Sequence, residues 1–147
     1  MLNGGHQSLG QMVVSLARSY TAQLNARLEP LALSQARLQV ISALETEGEQ
    51  TQRELAERLG VEQATMANTL ARLDRDGLVV RLPHPDDRRA QLVRLTEKAG
   101  VLIAPAREAV KDADRALLTG LPEAEQALFV SMIARLSASA PSSETPR

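Results

Sequence analysis

The sequence contains no cysteine and no tryptophan, and it has one tyrosine, one phenylalanine and two histidines among 147 residues. Without cysteine the chain cannot form a disulfide framework, a thiolate nucleophile or a cysteine-based zinc site. Two histidines are too few for a multi-histidine metal site, and no set of nucleophile, base and orienting group can be assembled around them. We therefore expect no enzymatic activity, no cofactor and no metal ion.

Long apolar runs are also missing, since none approaches the roughly 18 residues needed to span a bilayer. The N-terminus has no charged segment followed by an apolar one, which disfavours secretion. These features predict a cytoplasmic protein without a membrane partner. The net charge is −1, from 17 basic and 18 acidic residues. Any binding to nucleic acid would therefore use a few placed cations rather than a broad basic surface.

What the sequence does contain is aliphatic: 44% of its residues are hydrophobic, which with so few aromatics favours helices rich in Leu and Ala. Apolar residues recur at intervals of three and four over Leu9–Leu28, and Pro30 ends that helix. Ser34 can cap a second helix, which Gly48 would close.

The middle of the chain predicts a helix-turn-helix followed by a β-hairpin. Thr51 and Glu54 form a capping-box pattern, and Gly60 ends that short helix. A second helix over 63–76 follows at once and stops at Gly77. Two short strands, at 78–82 and 91–95, then flank a charged turn.

Two further helices are predicted beyond the hairpin. Thr96 caps the first, which should run to about Leu118 and be kinked or interrupted by Pro105. The motif 121–123 opens the last helix with a proline at its first position.

Two segments carry a resemblance to a known family, TQRELAERLGVEQATMANTLARLDRDGLVVRL at 51–82 and PHPDDRRAQLVRLTEKAG at 83–100. The second is the more specific, because an Asp-Arg-Arg turn precedes the motif Leu-Thr-Glu-Lys-Ala-Gly at a fixed distance. From about residue 33 to residue 100 the chain resembles the MarR family of bacterial winged helix-turn-helix transcriptional regulators. It departs from many members at Asn68, where they have arginine, and at His84, where they have an acidic residue.

The resemblance implies a mainly α fold with a small β-hairpin. A winged helix-turn-helix domain at 34–99 would be flanked by dimerisation helices at 1–33 and 100–140, with a disordered tail at 141–147. The apolar stripes of the first, fifth and sixth helices point the same way, because a lone copy would leave much of them in water. The alternative is that all three stripes pack within one chain.

The outward residues of the helix at 63–76 are the candidates for contact with duplex DNA. A helix fits the major groove, where Asn and Gln can pair with adenine, Thr can meet a thymine methyl or a phosphate, and Arg suits phosphate or guanine. The alternative is a solvated polar face without a partner. The candidate residues are Gln63, Thr65, Asn68, Thr69 and Arg72.

The charged turn of the hairpin supplies a second candidate contact. Arg88 and Arg89 project from it, and an arginine can enter a narrow, electronegative minor groove. The resemblance points to Arg89, with Asp87 supporting the wing through an ion pair. The alternative is a solvated turn, and for His84 we expect a solvated turn histidine.

The predicted function is that of a transcriptional regulator, a repressor or an activator, which binds a pseudo-palindromic operator as a homodimer and is released by a small ligand. Because there is no cysteine, thiol-based oxidant sensing is closed to this chain. The resemblance suggests a small aromatic acid as effector, and Arg18, Tyr20 and Arg37 are candidates for binding it. The alternative function is a winged-helix module that binds another protein instead of DNA.

Overall fold

The computed structural model describes residues 8–139, which form six α-helices and a small sheet. Residues 1–7 and 140–147, including the predicted tail at 141–147, lie outside the described residues. The chain divides into two compact units, of which the first ends at Ala113 and the second begins at Asp114. The domain boundaries predicted from the sequence stay a prediction.

The first half of the chain follows the predicted order of elements. A short 3-10 turn, Glu29–Leu31, separates the first two helices and contains the proline that ends the first one. The elements are α1 (Leu9–Leu28), α2 (Gln35–Glu47), β1 (Gln50–Thr51), α3 (Gln52–Leu59) and α4 (Gln63–Arg75).

Local side-chain contacts explain where these helices begin and end. Ser34 accepts a hydrogen bond from the backbone of Arg37 and caps α2, and Gly48 follows its last residue. At α3 both bonds of the capping box between Thr51 and Glu54 are formed. Gly60 then takes a left-handed conformation with φ 62°, which lets the chain turn directly into α4.

The second half contains β2 (Val79–Pro83), β3 (Gln91–Leu95), α5 (Glu97–Leu118) and α6 (Glu123–Ser139). The expected interruption of α5 at Pro105 is wrong, since the helix runs through it without a break. The proline removes the hydrogen bond to the carbonyl of Val101, four residues earlier. Val101 is 75% exposed, so water can reach this side of the helix and satisfy that carbonyl.

The sheet has three strands rather than the two that were predicted. β3 lies in the centre and pairs antiparallel with β1 on one side and β2 on the other. The hairpin register places Val79 opposite Leu95 and Pro83 opposite Gln91. β1 escaped prediction because two residues carry no strand periodicity, and its partner lies some forty residues further along the chain.

One aliphatic core joins residues from α1 through α5. Fully buried members come from α2, α3, α4 and β3, among them Ile41, Leu55, Leu70 and Val93. Leu24 and Leu28 of α1 also belong to this core. So do the small residues Ala99, Ala106, Ala109 and Ala113 on one face of α5.

The chain itself covers these parts of the α1 and α5 stripes, and the expected dimer stays a prediction. Most of the exposed large apolar residues lie in the first half of α1 and along α6. They include Leu9, Met12, Val13, Leu16, Leu128, Met132, Ile133 and Leu136.

Candidate DNA interface

Helix α4 separates an apolar face from a polar face. Met66, Leu70 and Leu73 are buried in the core and fix the helix against the rest of the helix-turn-helix. Its other face carries the five candidates, of which Thr69 is half-buried and the rest are exposed: Gln63, Thr65, Asn68, Thr69 and Arg72. Their side chains are thus placed to meet a duplex, while contact with DNA stays a prediction.

Contacts from α3 and within α4 already engage part of this face. Gln52, at the start of α3, donates from its amide nitrogen to the side-chain oxygen of Gln63 at 3.4 Å. The hydroxyl of Thr69 donates to the carbonyl of Thr65 at 3.0 Å, so its methyl group and lone pairs are what it can offer a base or sugar. The face is therefore partly ordered before any ligand arrives, which lowers the entropy cost of binding.

The opposite end of α4 is held by Arg37. This side chain donates to the carbonyl of Ala32 at 2.6 Å and forms an ion pair with Asp76, the residue that caps α4. The hydrogen bond from Arg37 holds the pKa of the Asp76 carboxyl below its usual range, and Arg75 adds to the effect. Lys98 donates to the backbone carbonyl of Asp76 at 2.8 Å.

The wing turn between β2 and β3 is organised by two side chains, His84 and Asp87. The Nδ1 atom of His84 accepts hydrogen bonds from the backbone nitrogens of Asp86 and Asp87, both at 3.1 Å. The expected solvated histidine is therefore wrong, because His84 is half-buried and bonded to the turn.

Asp87 supports the wing mainly through the backbone. Its Oδ1 atom accepts a hydrogen bond from the backbone nitrogen of Arg89 at 2.9 Å, whereas the Nε atom of Arg89 lies 3.9 Å from the same oxygen. The Arg89 side chain is 96% exposed. An ion pair so open to water contributes little, so the backbone bond is the stronger support. Arg89 is consequently directed away from the fold and able to reach a partner, as is Arg88, which is also exposed.

A cleft of about 330 Å³ joins the wing to the start of α4, the second helix of the helix-turn-helix and hence its recognition helix. Its walls include Gln63 of α4 and Arg89 of the wing, so two of the candidates share one surface. Arg53 and Arg81 also line it, and the sequence reasoning missed both. The available signal was the capping box at Thr51, which places Arg53 on the exposed first turn of α3.

Each of the added cations lies beside an acidic residue. Arg53 pairs with Glu57 at 2.9 Å, and this hydrogen bond raises the pKa of Arg53. Arg81 lies 3.7 Å from Asp74. The cleft thus offers guanidinium groups without a large positive field, in keeping with the near-neutral chain.

The three candidates for ligand binding do not come together. Tyr20 lines a cavity beside α2, and Arg18 lines a separate shallow hollow along α1. Arg37 is engaged with Ala32 and Asp76, and only 14% of its side chain is exposed. No single site in the described part of the chain therefore unites them.

Features of other functional classes are also absent from residues 8–139. Nowhere in this range do three or more His, Asp or Glu side chains cluster so that they could hold a metal ion. No helix within the same range is both long and apolar enough to cross a membrane.

Comparison with known proteins finds similarity to one family. The family model described as "MarR family" matches residues 33–90. Among solved structures, apo MarR from E. coli is 26% identical with a TM-score of 0.80, covering 90% of this chain and 98% of that one. A mutant of E. coli MarR complexed with operator DNA is 27% identical with a TM-score of 0.78, covering 87% and 92%.

A third match comes from a different bacterium. The PcaV transcriptional regulator from Streptomyces coelicolor is 26% identical with a TM-score of 0.77, covering 90% of this chain and 97% of that one. The likeness thus extends beyond the winged helix to nearly the whole of each chain. Residues 33–90 of the chain thus match the MarR family model, and its winged helix-turn-helix fold is that of the solved MarR regulators.

Proposed function

We propose that this protein is a transcriptional repressor that binds a pseudo-palindromic DNA operator as a homodimer and is released by a small ligand. The observation that carries DNA binding is the cleft shared by Gln63 of the recognition helix and Arg89 of the wing. In such an arrangement the helix enters the major groove while the wing arginine reaches the adjacent minor groove. The operator complex of the E. coli relative supports this reading.

The candidate contacts divide into two roles. Asn68, Gln63 and Thr65 lie on the first turns of α4 and would meet base edges, which carry sequence discrimination. Arg72, Arg88 and Arg89 would contact phosphates or the minor groove and supply affinity. Thr69, whose hydroxyl is engaged, would contribute its methyl group.

The homodimer is argued from surface that the chain does not cover. Five large apolar residues of α6 are 44–66% exposed, and the first half of α1 has five more. Exposed apolar surface above a few hundred Å² marks an interaction site, and a twofold dimer would bury the same residues on both copies. Dimerisation would also set two recognition helices side by side, as an inverted repeat requires.

Selection of duplexes from a random pool tests this function. We expect an inverted repeat whose half-site centres are about 10–10.5 bp apart, or a multiple of that spacing. A single asymmetric half-site would contradict the dimeric reading. Affinity for the selected duplex should fall steeply with salt, because neutralised phosphates release counterions.

The second candidate function is a module that binds protein through its winged helix. Arg53 and Arg81 each lie beside an acidic residue, so the cleft lacks a broad positive field. This favours the protein-binding function. If the selection enriches no duplex, and if the retention of DNA does not change with salt, the protein-binding function is the correct one.

A further inference from the structure

The wing turn is built around the side chain of His84. Its Nδ1 atom accepts hydrogen bonds from the backbone nitrogens of both Asp86 and Asp87. A backbone N–H group can only donate, so the ring atom that both nitrogens approach is an acceptor. Pro83 and Pro85, on either side of His84, have no N–H group and restrict the backbone. The imidazole thus does for this turn what the side chain of Asn or Asp does in an Asx-turn.

Asp87 connects His84 to Arg89. Its backbone nitrogen donates to His84, while its Oδ1 atom accepts from the backbone nitrogen of Arg89. The carbonyl of Asp87 accepts from the backbone nitrogen of Ala90 at 3.1 Å, and the backbone nitrogen of His84 donates to the carbonyl of Ala90 at 3.2 Å. These bonds close the turn on itself. The direction in which the backbone presents Arg89 therefore depends on His84.

His84 and Arg89 have different roles in this arrangement. His84 is half-buried, whereas Arg89 is exposed and lines the cleft between the wing and α4. Under the proposed function Arg89 meets the duplex, and His84 acts through Arg89. A turn that is ordered before the duplex arrives lowers the entropy cost of that contact.

The charged groups around His84 come from its own turn and from α3, since β3 begins with the uncharged Gln91. The pKa of the Glu54 carboxyl on α3 is lowered mainly by its hydrogen bonds with Thr51, and a charge on His84 lowers it further. The groups are Asp86, Asp87, Arg88 and Arg89 of the turn and Glu54 of α3. The three carboxylates are the alternative partners that a charged imidazole would have.

Protonation of the imidazole would remove the acceptor from the turn. A charged imidazole donates from both of its nitrogens, so it cannot receive the N–H groups of Asp86 and Asp87. Histidine is the side chain that ordinarily changes its charge between about pH 5 and pH 8. The bonds that order the turn are therefore available to a neutral ring and are lost in acid.

From these contacts we infer that His84 is a positioning residue of the wing: its Nδ1 acceptor sets the turn that carries Arg89 to the duplex, and acid releases the duplex by removing that acceptor. Many members of the MarR family have an acidic residue at this position. A carboxylate stays an acceptor down to about pH 4, so the response to mild acid comes from the histidine of this chain. Only the effect on DNA rests on the proposed function; the order of the turn does not.

The sign of the pH effect separates this inference from general charge attraction. The affinity of the full chain for the selected duplex is measured by fluorescence anisotropy from about pH 8 to pH 5.5 at fixed salt. Charge attraction alone predicts tighter binding in acid, because protonation makes the protein more positive. We expect weaker binding in acid, by about fivefold, since two hydrogen bonds of the turn are lost. Unchanged or tighter binding would overturn the inference.

Two substitutions of His84 separate the acceptor from the ring. His84→Asn supplies an oxygen that accepts backbone N–H groups and does not titrate, so its affinity should not fall in acid. His84→Leu supplies no acceptor and should bind about fivefold more weakly than His84→Asn at neutral pH. Equal affinities of the two variants, or an acid response that persists in both, would show that His84 does not position the wing.

Arg89→Ala and His6→Asn are the controls. His84→Leu should cost much less affinity in an Arg89→Ala background, because the residue that His84 positions is already absent. A full loss there would mean that His84 acts on the duplex independently of Arg89. His6 is the other of the two histidines in the chain, and the acid response should persist in His6→Asn. Loss of the response in that variant would assign it to His6 and overturn the inference.

NMR of the free protein tests the turn without DNA. The backbone amide signals of Asp86 and Asp87 should move together with the ring signals of His84 as the pH is lowered, and they should stay in place over the same range in His84→Asn. Amide signals that ignore the ring would refute the positioning role, whatever the DNA result. If they follow the ring while no sample binds any duplex, the turn is ordered as inferred and the proposed function is wrong.

Discussion

The recognition helix α4 and the C-terminal helix α6 differ in whether their apolar residues are buried. Met66, Leu70 and Leu73 of α4 are 0–1% exposed, so the chain itself covers that stripe. In α6 no residue is buried, although Leu128 and Ile133 are as apolar as their counterparts in α4. The difference teaches that one chain suffices to position α4, whereas the apolar residues of α6 stay open to solvent, where the proposed homodimer would cover them.

Polar contacts widen this difference. The first residue of α4 is bonded to Gln52, and its cap, Asp76, receives Arg37 and Lys98 from two other elements. The side chain of Gln126 on α6 donates to Leu121, just before its own helix. Helix α4 is thus held at both ends, as the proposed DNA-binding site would require in order to keep its geometry.

The largest expected effect comes from removing α6. A chain ending at Gly120 should be monomeric, because the deletion takes away Leu128, Met132, Ile133 and Leu136. Its circular dichroism should still show a folded helical core, since the residues that form that core precede Asp114. Light scattering measures the mass, and a chain ending at Ser139 is the control that should stay dimeric. A dimer of the shorter chain would refute the assignment of α6.

Substitution of one leucine in each helix sharpens the contrast. Leu70→Ala should lower the free energy of unfolding by about 2–5 kcal/mol, because it empties space in a closed core. Leu128→Ala at a concentration where the protein is monomeric should change it by less than about 0.5 kcal/mol. Urea denaturation followed by circular dichroism gives both values. Equal losses would mean that α6 is already packed within one chain.

The sequence predicted local features of the fold but not the contacts between residues far apart in the chain. The ends of α3 and the start of α4 were predicted because capping residues and the glycine turn act within three or four residues. The strand β1 and the ion pair of Arg37 with Asp76 were not, since both join residues some forty positions apart. Contacts of that kind depend on the folded topology, which single-sequence periodicity does not encode.

The candidate DNA interface likewise combines local features, which the sequence predicted, with long-range ones, which it did not. Helical periodicity predicted the exposed side of α4, and the structure does expose Asn68 and Arg72 there. The cleft that joins Gln63 to Arg89 depends on how the hairpin folds back, and Arg81 was missed for the same reason. The hydrogen bonds that His84 accepts from the turn were missed, because nothing in the local sequence indicates that an imidazole in a charged loop acts as an acceptor.

The wing arginines provide the next largest expected effect. Arg89→Ala should weaken binding to the selected duplex by about 1–3 kcal/mol at fixed salt, since a minor-groove contact is lost. Arg88→Ala is the matched control, with the same change one residue away, and should cost less. The dissociation constants are measured by fluorescence anisotropy. Equal effects of the two changes would argue for general charge attraction instead of insertion of Arg89.

Asn68→Ala should alter discrimination more than affinity. Asn68 is exposed on the first turns of α4, where base edges are within reach of a helix in the major groove. Binding is compared across duplexes that carry each base pair at every position of the half-site. We expect the preference to relax at one or two positions only. A uniform loss at all positions would show that Asn68 contacts phosphate.

The smallest expected effect tests the anchor at the end of α4 through its pH dependence. The pKa of Asp76 is lowered mainly by the hydrogen bond from Arg37, so the folded state favours the charged carboxylate. The stability gained from this pair is therefore complete above the ordinary pKa of aspartate and is lost as the pH falls through the lowered value.

The difference in unfolding free energy between the unmodified protein and Asp76→Asn should be constant near neutral pH and shrink below about pH 4. In an Arg37→Met background the same substitution should lose most of this pH dependence, because the group that lowers the pKa is gone. A pH profile of Asp76→Asn that is identical in both backgrounds would show that Arg37 does not anchor the recognition helix.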